Sequence, residues 1–255
     1  RWYTSPTPRS WALFIPGLAS GATVVISQHY GAKQEDGVQK ALHTAYAFSV
    51  VGGIIISIMG ILITRPLLKL MNTPDNIIDL SATYLCIYFA GLVFVFIYNV
   101  GAGILRAVGD SRRPLYFLIL CCFINIVLDI ILIVFFKMGV AGAAIATTFS
   151  QGISAVMVTV TLCRTTDIFR LRVKKIRFHA QPMGMIVKIG LPAGLQSVMY
   201  SLSNVIIQSS LNTFGTETVA AWTAFSKIDA IYWMISGAFG IAITTFVGQN
   251  YGAGK

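Results

Sequence analysis

The chemistry this chain could do gathers around one carboxylate. Asp129 is the only acidic residue deep inside a long apolar run, and Asn125 stands four residues before it, one helical turn away on the same face. After the short turn Lys137-Met138-Gly139 the next run must return alongside. Thr147 then lies nine residues beyond Met138, and Asp129 nine residues before it. At 1.5 Å per residue both reach a depth of about 13 to 14 Å, close to the midplane of an apolar layer about 30 Å thick. Ala143, one turn before Thr147, keeps that face small. A carboxylate, an amide and a hydroxyl at one depth suit a proton or a small hard cation. An Asp at the centre of a bilayer costs at least about 2.5 to 3.5 kcal/mol to insert, so a partner, a cavity or a function must retain it. The alternative is hydrogen-bond glue between helices, worth about 0.6 kcal/mol on average.

A second polar group lies further along. The run containing Gln196, Tyr200, Asn204 and Gln208 presents amides and a phenol among serines, and such a face points at protein or at a water-filled cavity, not at lipid. Lys227 and Asp229 sit in the outer third of the next run, where they either line the same cavity or snorkel to the interface. These six residues are the candidate substrate-cavity lining. His29, His43 and His179 are scattered near the ends of runs and form no Ser/His/Asp or HExxH pattern. Cys86, Cys121, Cys122 and Cys163 lie within or at the end of apolar runs, at no zinc-ligand spacing. No catalytic residue, metal centre or cofactor is therefore expected, and an enzyme is not.

The elements that position these residues follow from composition. Of 255 residues, 56% are hydrophobic and 11% charged, against roughly 25% charged in a soluble domain. With mean hydropathy at +0.75, the missing solvent must be lipid. The net charge of +10 falls between apolar runs and not in a stripe, which speaks for topology and against a nucleic-acid partner. About seven runs are long enough to span: residues 11–27, 41–63, 80–103, 115–136, 140–163, 186–211 and 219–247. Pro66 falls in the linker 64–79, and Pro192 opens the sixth span. If the first span runs from outside to inside, thirteen Lys and Arg fall inside, among them all six of the linker 164–184, and six fall outside. The positive-inside rule selects that orientation. The basic RLRVKKIR stretch of this linker also reads as an anionic-lipid patch.

One repeat organises the whole. TVVISQHYGA at 23–32 recurs as TTFVGQNYGA at 244–253, an offset of 221 with five of ten positions identical. Each copy lies at the inner end of a span, the first and the seventh. The repeat unit thus holds six parallel-oriented helices, and the whole protein should have about twelve in two halves. The opening at Arg1 reads as the start of a segment of such a protein. Gly17/Gly21, Gly139/Ala143 and Gly190/Gly194 have the spacing of close helix contacts.

With these residues in hand, the chain resembles the multidrug and toxic compound extrusion (MATE) transporters. The resemblance rests on LRAVGDSRRP at 105–114, GVAGAAIATTFSQ at 139–151, the GLP of 190–192 and FVGQNYGAG at 246–254, in this order and spacing. It implies an all-α polytopic membrane protein whose seven spans correspond to helices two to eight of a twelve-helix, two-bundle fold. Residues 1–163 would form most of the first bundle, 164–184 a basic cytoplasmic linker, and 185–255 the start of the second bundle. The resemblance assigns Asn125, Asp129 and Thr147 to a first-bundle cation site that in the family also uses an Asp on helix one. Some relatives place an acid on helix seven; span six here has none, which puts the weight on Asp129.

The function implied is a secondary active antiporter of the plasma membrane. It exports drugs, cationic organic compounds or metabolites in exchange for H+ or Na+ by alternating access, and works as a monomer. The alternative is a lipid-linked oligosaccharide flippase of related architecture, which would line its cavity with several cations, whereas Lys227 is the single candidate. A seven-helix receptor conflicts with the six-helix repeat, and an intramembrane enzyme would need a nucleophile and base pair. The orientation is testable directly. A cysteine introduced at Lys174 should react with an impermeant thiol reagent only after the membrane is permeabilised, and one at Asn72 from outside; the opposite labelling would reverse the topology.

Overall fold

The computed structural model describes residues 14–70 and 74–255. The expected start of the first span at 11–13, and Asn72, lie outside the described residues. The chain is helical throughout: α1 (Phe14–Gly31), α2 (Glu35–Leu70), α3 (Asp75–Ala90), α4 (Leu92–Ala107), α5 (Arg112–Asp129), α6 (Gly139–Arg164), α7 (Ala180–Leu211) and α8 (Thr216–Gly252). Six stretches among the described residues are long and apolar enough to cross a bilayer, with α3 and α4 counting as one continuous stretch from Ile77 to Ala107. The remaining expected span is α1.

Several helices are longer than the apolar runs that announce them. Pro66 does not end α2, which continues to Leu70, so the expected linker from 64 to 79 is much shorter. Pro192 does not open a span either: α7 begins at Ala180, and the proline sits well inside it. Lacking an amide proton, it leaves the Lys188 carbonyl without its usual donor. The third span is broken instead, at Gly91. There Thr148 of α6 presses so close that a β-carbon at 91 would lie 2.7 Å from its methyl group. The Thr148 hydroxyl donates to the Ile87 carbonyl at 3.2 Å, which also keeps the Gly91 amide at 3.1 Å where α3 passes into α4.

Packing is densest at one end, the basic end, where α1, α4, α6 and α8 finish and α2, α5 and α7 begin. Ala22, Val25 and Ile26 of α1, Leu42 of α2, Ile104 and Leu105 of α4, Val158 and Leu162 of α6 and Ile186 of α7 form one continuous core there. Elsewhere the helices turn apolar side chains outward, for example Ile54, Ile58 and Leu62 on α2 and Leu118, Phe123 and Val127 on α5. A surface of this kind faces hydrocarbon.

Helix α1 holds the second half of the chain to the first. Two of the three small-residue pairs meet each other: a β-carbon on Gly17 would collide with the backbone of Gly194, and one on Gly21 would lie 2.5 Å from the Ile186 carbonyl oxygen and 2.8 Å from the Gly190 nitrogen. Backbones approach this closely only where side chains are absent. The third pair behaves otherwise. Gly139 has nothing within 4 Å of a β-carbon and takes φ +55°, beside Lys137 at φ +52°. It serves the tight turn between α5 and α6, not a helix contact.

The repeat is spatial as well as sequential. A β-carbon on Gly31 would strike the Gln249 carbonyl oxygen, and one on Gly252 the Gln28 carbonyl oxygen. These two contacts exchange under the 221-residue offset. Ser27 and Gly248, equivalent positions, face each other directly, as expected on a local two-fold axis. Gly21→Val in the full-length protein should therefore push α1 off α7 and cost about 1 to 3 kcal/mol. Gly184→Ala, where a β-carbon meets nothing, should leave stability unchanged or raise it by up to about 1 kcal/mol. Thermal unfolding in detergent distinguishes the two.

Candidate functional site

The first candidate group is brought to one pair of neighbouring helices. Asn125 and Asp129 lie on the last two turns of α5, and Thr147 lies on α6, which packs antiparallel beside it. Both α5 residues are partly buried, and Asn125 Nδ2 and Asp129 Oδ1 are shielded from the surface without a hydrogen-bond partner. Thr147 donates its hydroxyl proton to the Ala143 carbonyl at 3.0 Å. Its oxygen lone pairs therefore stay available.

Chain geometry changes immediately after the carboxylate. Ile130–Phe135 form a π-helical turn, and its end is tied down by Phe136 donating to the Ile131 carbonyl and Met138 to that of Leu132, both at 3.0 Å. The path from the turn back to Asp129 is thus not the uniform α-helical climb that an equal residue count assumes. Such widened turns are frequent at functional positions. They open the backbone next to Asp129 without a proline, and no residue type announces them in the sequence.

An orphaned donor and an orphaned acceptor one turn apart cost about 1 to 3 kcal/mol each when nothing satisfies them. The pair fits a small cation or a proton. A carboxylate oxygen, an amide whose half-turn exchanges its NH2 for a carbonyl oxygen and a threonine hydroxyl oxygen are the kinds of donor such an ion takes.

The second candidate group falls on α7 and α8. Gln196, Tyr200 and Asn204 are exposed on α7, Gln208 is half-buried, and Lys227 on α8 is exposed. Tyr200 crosses to α8, its ring edge-on to Trp233 at a centroid distance of 5.8 Å. The Trp233 indole N–H in turn donates to Asp229 at 3.1 Å, and Tyr232 packs against the same indole. Tyr200 and Asp229 are thus joined through Trp233. The sequence reading missed this residue, although a tryptophan four residues after an acid on a helix is a visible pairing signal. Gln196, Asn204 and Lys227 are not drawn into that cluster.

At the basic end, α8 reaches the close of α4. Gln249 donates its side-chain amide to the Ala107 carbonyl at 2.7 Å, and the Thr245 hydroxyl to the Arg106 carbonyl at 3.2 Å. These carbonyls are among the last of α4, where the intrahelical ladder runs out; that of Arg106 also accepts the Gly109 amide at 2.9 Å. The two halves of the chain are therefore latched by side chains of one capping the helix end of the other.

This helical bundle with a repeat-related crossing at one end is the architecture of a transporter. The MatE family model matches residues 9–131 and again 192–255. The chain belongs to the MATE family of multi-pass plasma-membrane transporters. It is 31% identical over 249 residues to the probable multidrug resistance protein YoeA of Bacillus subtilis strain 168, covering 95% of this chain and 54% of YoeA. The chain thus spans about half the length of the curated relatives it matches. Among solved structures, it superposes with a TM-score of 0.89 on an outward-facing conformation of a multidrug resistance MATE family transporter of the MOP superfamily. Identity there is 26%, over 97% of this chain and 55% of the other. On an inward-facing conformation the TM-score is 0.75, at 25% identity over 97% and 54%.

If the orphaned Asn125 amide is a cost carried by the fold, Asn125→Leu should raise stability by about 1 kcal/mol. Thermal unfolding of the full-length protein in buffer without added Na+ reads this; a fall in melting temperature would mean that the amide is satisfied.

Proposed function

We propose that this chain is the part of an antiporter that binds the coupling ion. The whole protein exports drugs, cationic organic compounds or metabolites in exchange for H+ or Na+. The observation that carries the reading is the pair of unpartnered polar atoms, Asn125 Nδ2 and Asp129 Oδ1, beside a widened turn. A proton or Na+ on Asp129 removes an uncompensated charge, and its departure restores one. Occupancy therefore changes which packing of α5 against α6 is favoured. A ligand shifts such an equilibrium only by its differential affinity for the two states, and a few kcal/mol is sufficient to invert the populations.

The access cycle has support at the other end. The latch of Gln249 and Thr245 on α4 and the paired glycine contacts of α1 with α8 close the basic end. The higher TM-score against the outward-facing relative is in keeping with that closure. Opening the basic end requires those contacts to separate. Substrate would be met by the aromatic cluster of Tyr200, Trp233 and Asp229, where ring faces and a carboxylate together attract organic cations. Gln196, Asn204, Gln208 and Lys227 would complete the wall of that cavity, in the second of two bundles joined by the linker.

Asp129→Asn in the full-length transporter keeps shape and removes the titratable charge. It should abolish ion-dependent export in everted vesicles while leaving expression and melting temperature close to wild type. Asn125→Ala and Thr147→Val, each removing one neutral ligand, should weaken ion affinity by less, about tenfold for a loss near 1.4 kcal/mol. Normal ion-coupled export by the Asp129→Asn protein would overturn the assignment.

A further inference from the structure

The linker between α6 and α7 is basic, and it is also folded. Gln39 of α2 donates its side-chain amide to the Ile168 carbonyl, and to that of Arg170 at 3.3 Å. The backbone amide of His179 donates to the Thr44 hydroxyl at 3.1 Å. His43 is buried and fixed at both ring nitrogens: Nδ1 lies 2.7 Å from the Gln39 carbonyl, which only an N–H can satisfy, and Nε2 accepts the amide of Arg172 at 3.1 Å. This pattern fixes the ring's orientation between α2 and the linker. Phe169 and Leu171 alternate into the core, so the residues between and after them turn the other way.

That alternation builds a cavity of about 610 Å³ between the first turns of α2 and the linker, a size typical of small-molecule sites. Arg170, Arg172, Lys174, Lys175 and Arg177 line it, and among the described residues none of the five has a carboxylate within salt-bridge distance. Of the lining acids, Asp36 is engaged by Lys40 at 2.5 Å. Glu35 and Asp167 remain, two charges against five. At the rim, burial first, and then Arg177, Lys40 and His43, push the His179 pKa down, with Asp36 opposing. Five converging cations on a tethered segment are more than orientation in the membrane requires. Scattered lysines and arginines in a flexible loop would satisfy that rule equally well.

We propose that this cavity binds a multiply charged phosphate-bearing anion, gripped by the guanidinium forks and ammonium groups of the linker. Arginine and lysine together recognise phosphate oxygens through charge-assisted hydrogen bonds. The anion is either a soluble phosphate compound or the headgroup of an anionic lipid, since both present the same oxygens. Because the linker joins α6 to α7, an occupant held between it and α2 would brace the joint between the halves. The proposal is independent of the ion coupling through Asp129.

The test uses the full-length protein in nanodiscs of phosphatidylcholine, titrated with inorganic pyrophosphate by calorimetry and followed by thermal unfolding. Binding should appear, and Lys174→Glu/Lys175→Glu should weaken it at least about tenfold. The charge-matched Arg112→Glu/Lys255→Glu protein, altered at other basic positions outside the cavity, should stay within about twofold of wild type. Arg172→Gln keeps the backbone amide that holds His43 and provides a second, gentler variant should the reversal disturb the linker. Stabilisation by added cardiolipin, whose headgroup carries two phosphates, without pyrophosphate binding, and lost in the same two variants, identifies the lipid source and supports the site. Equal loss in the control protein, or no effect of either anion, overturns it.

Discussion

The arrangement of this chain depends on how closely one helix backbone can approach two others. Helix α1 has no side chain at Gly17, Gly21 and Gly31, and at each of these a neighbouring backbone occupies the space a β-carbon would take. Gly17 and Gly21 accept α7, and Gly31 accepts α8. In a bilayer, helices gain nothing by hiding apolar surface from lipid that is as apolar as themselves, so close van der Waals packing must hold them. Everything after the linker is fixed to the first half largely through this one helix. The dense core at the basic end follows, because that is where α1 touches both partners within a few turns.

Against this packing, the treatment of polar side chains is uniform. Thr23, Thr64, Thr147, Ser150, Ser154, Thr159 and Thr161 each donate to the carbonyl one turn earlier on their own helix. A hydroxyl satisfied within its helix can sit at any depth without a partner elsewhere. Asn125 and Asp129 cannot use that route for all their atoms, and with the Ser57 hydroxyl on α2 they hold the buried groups left unpaired among the described residues; of these, only Asn125 and Asp129 stand one turn apart on one helix. The proposed ion site is therefore where the fold leaves a polar demand open, beside the π-turn that follows Asp129.

What was legible in the sequence is what periodicity and residue type alone determine. The spans follow from the length of apolar runs, the use of Gly17/Gly21 and Gly190/Gly194 at close helix contacts from four-residue spacing, though not that the two pairs meet each other, and the neighbourhood of α5 and α6 from a three-residue turn. The features that escaped depend on another element. Gly91 breaks its span because Thr148 of a different helix intrudes. Pro66 and Pro192 lie inside helices that continue past them, each removing one backbone donor without ending the helix. Gly139 carries the right spacing for a contact but is used for its backbone angle. The Trp233 link between Tyr200 and Asp229 needs α7 and α8 side by side before it exists.

The repeat places a constraint on any motion between the halves. Gly31 against Gln249 and Gly252 against Gln28 are the same contact counted from each half, with Ser27 and Gly248 between them. Hinging the halves apart at the basic end lengthens both contacts alike, and neither can shorten, since both are already at backbone contact. The two therefore open together or not at all. Gln249 binds the Ala107 carbonyl from the same turn that meets Gly31, so the cap on α4 is released in that step as well. A closure built of mutually dependent contacts has two stable arrangements and few between them. The proposed alternating access requires that property, and in that proposal the carboxylate on α5, gaining and losing a small cation, biases the switch from another part of the bundle.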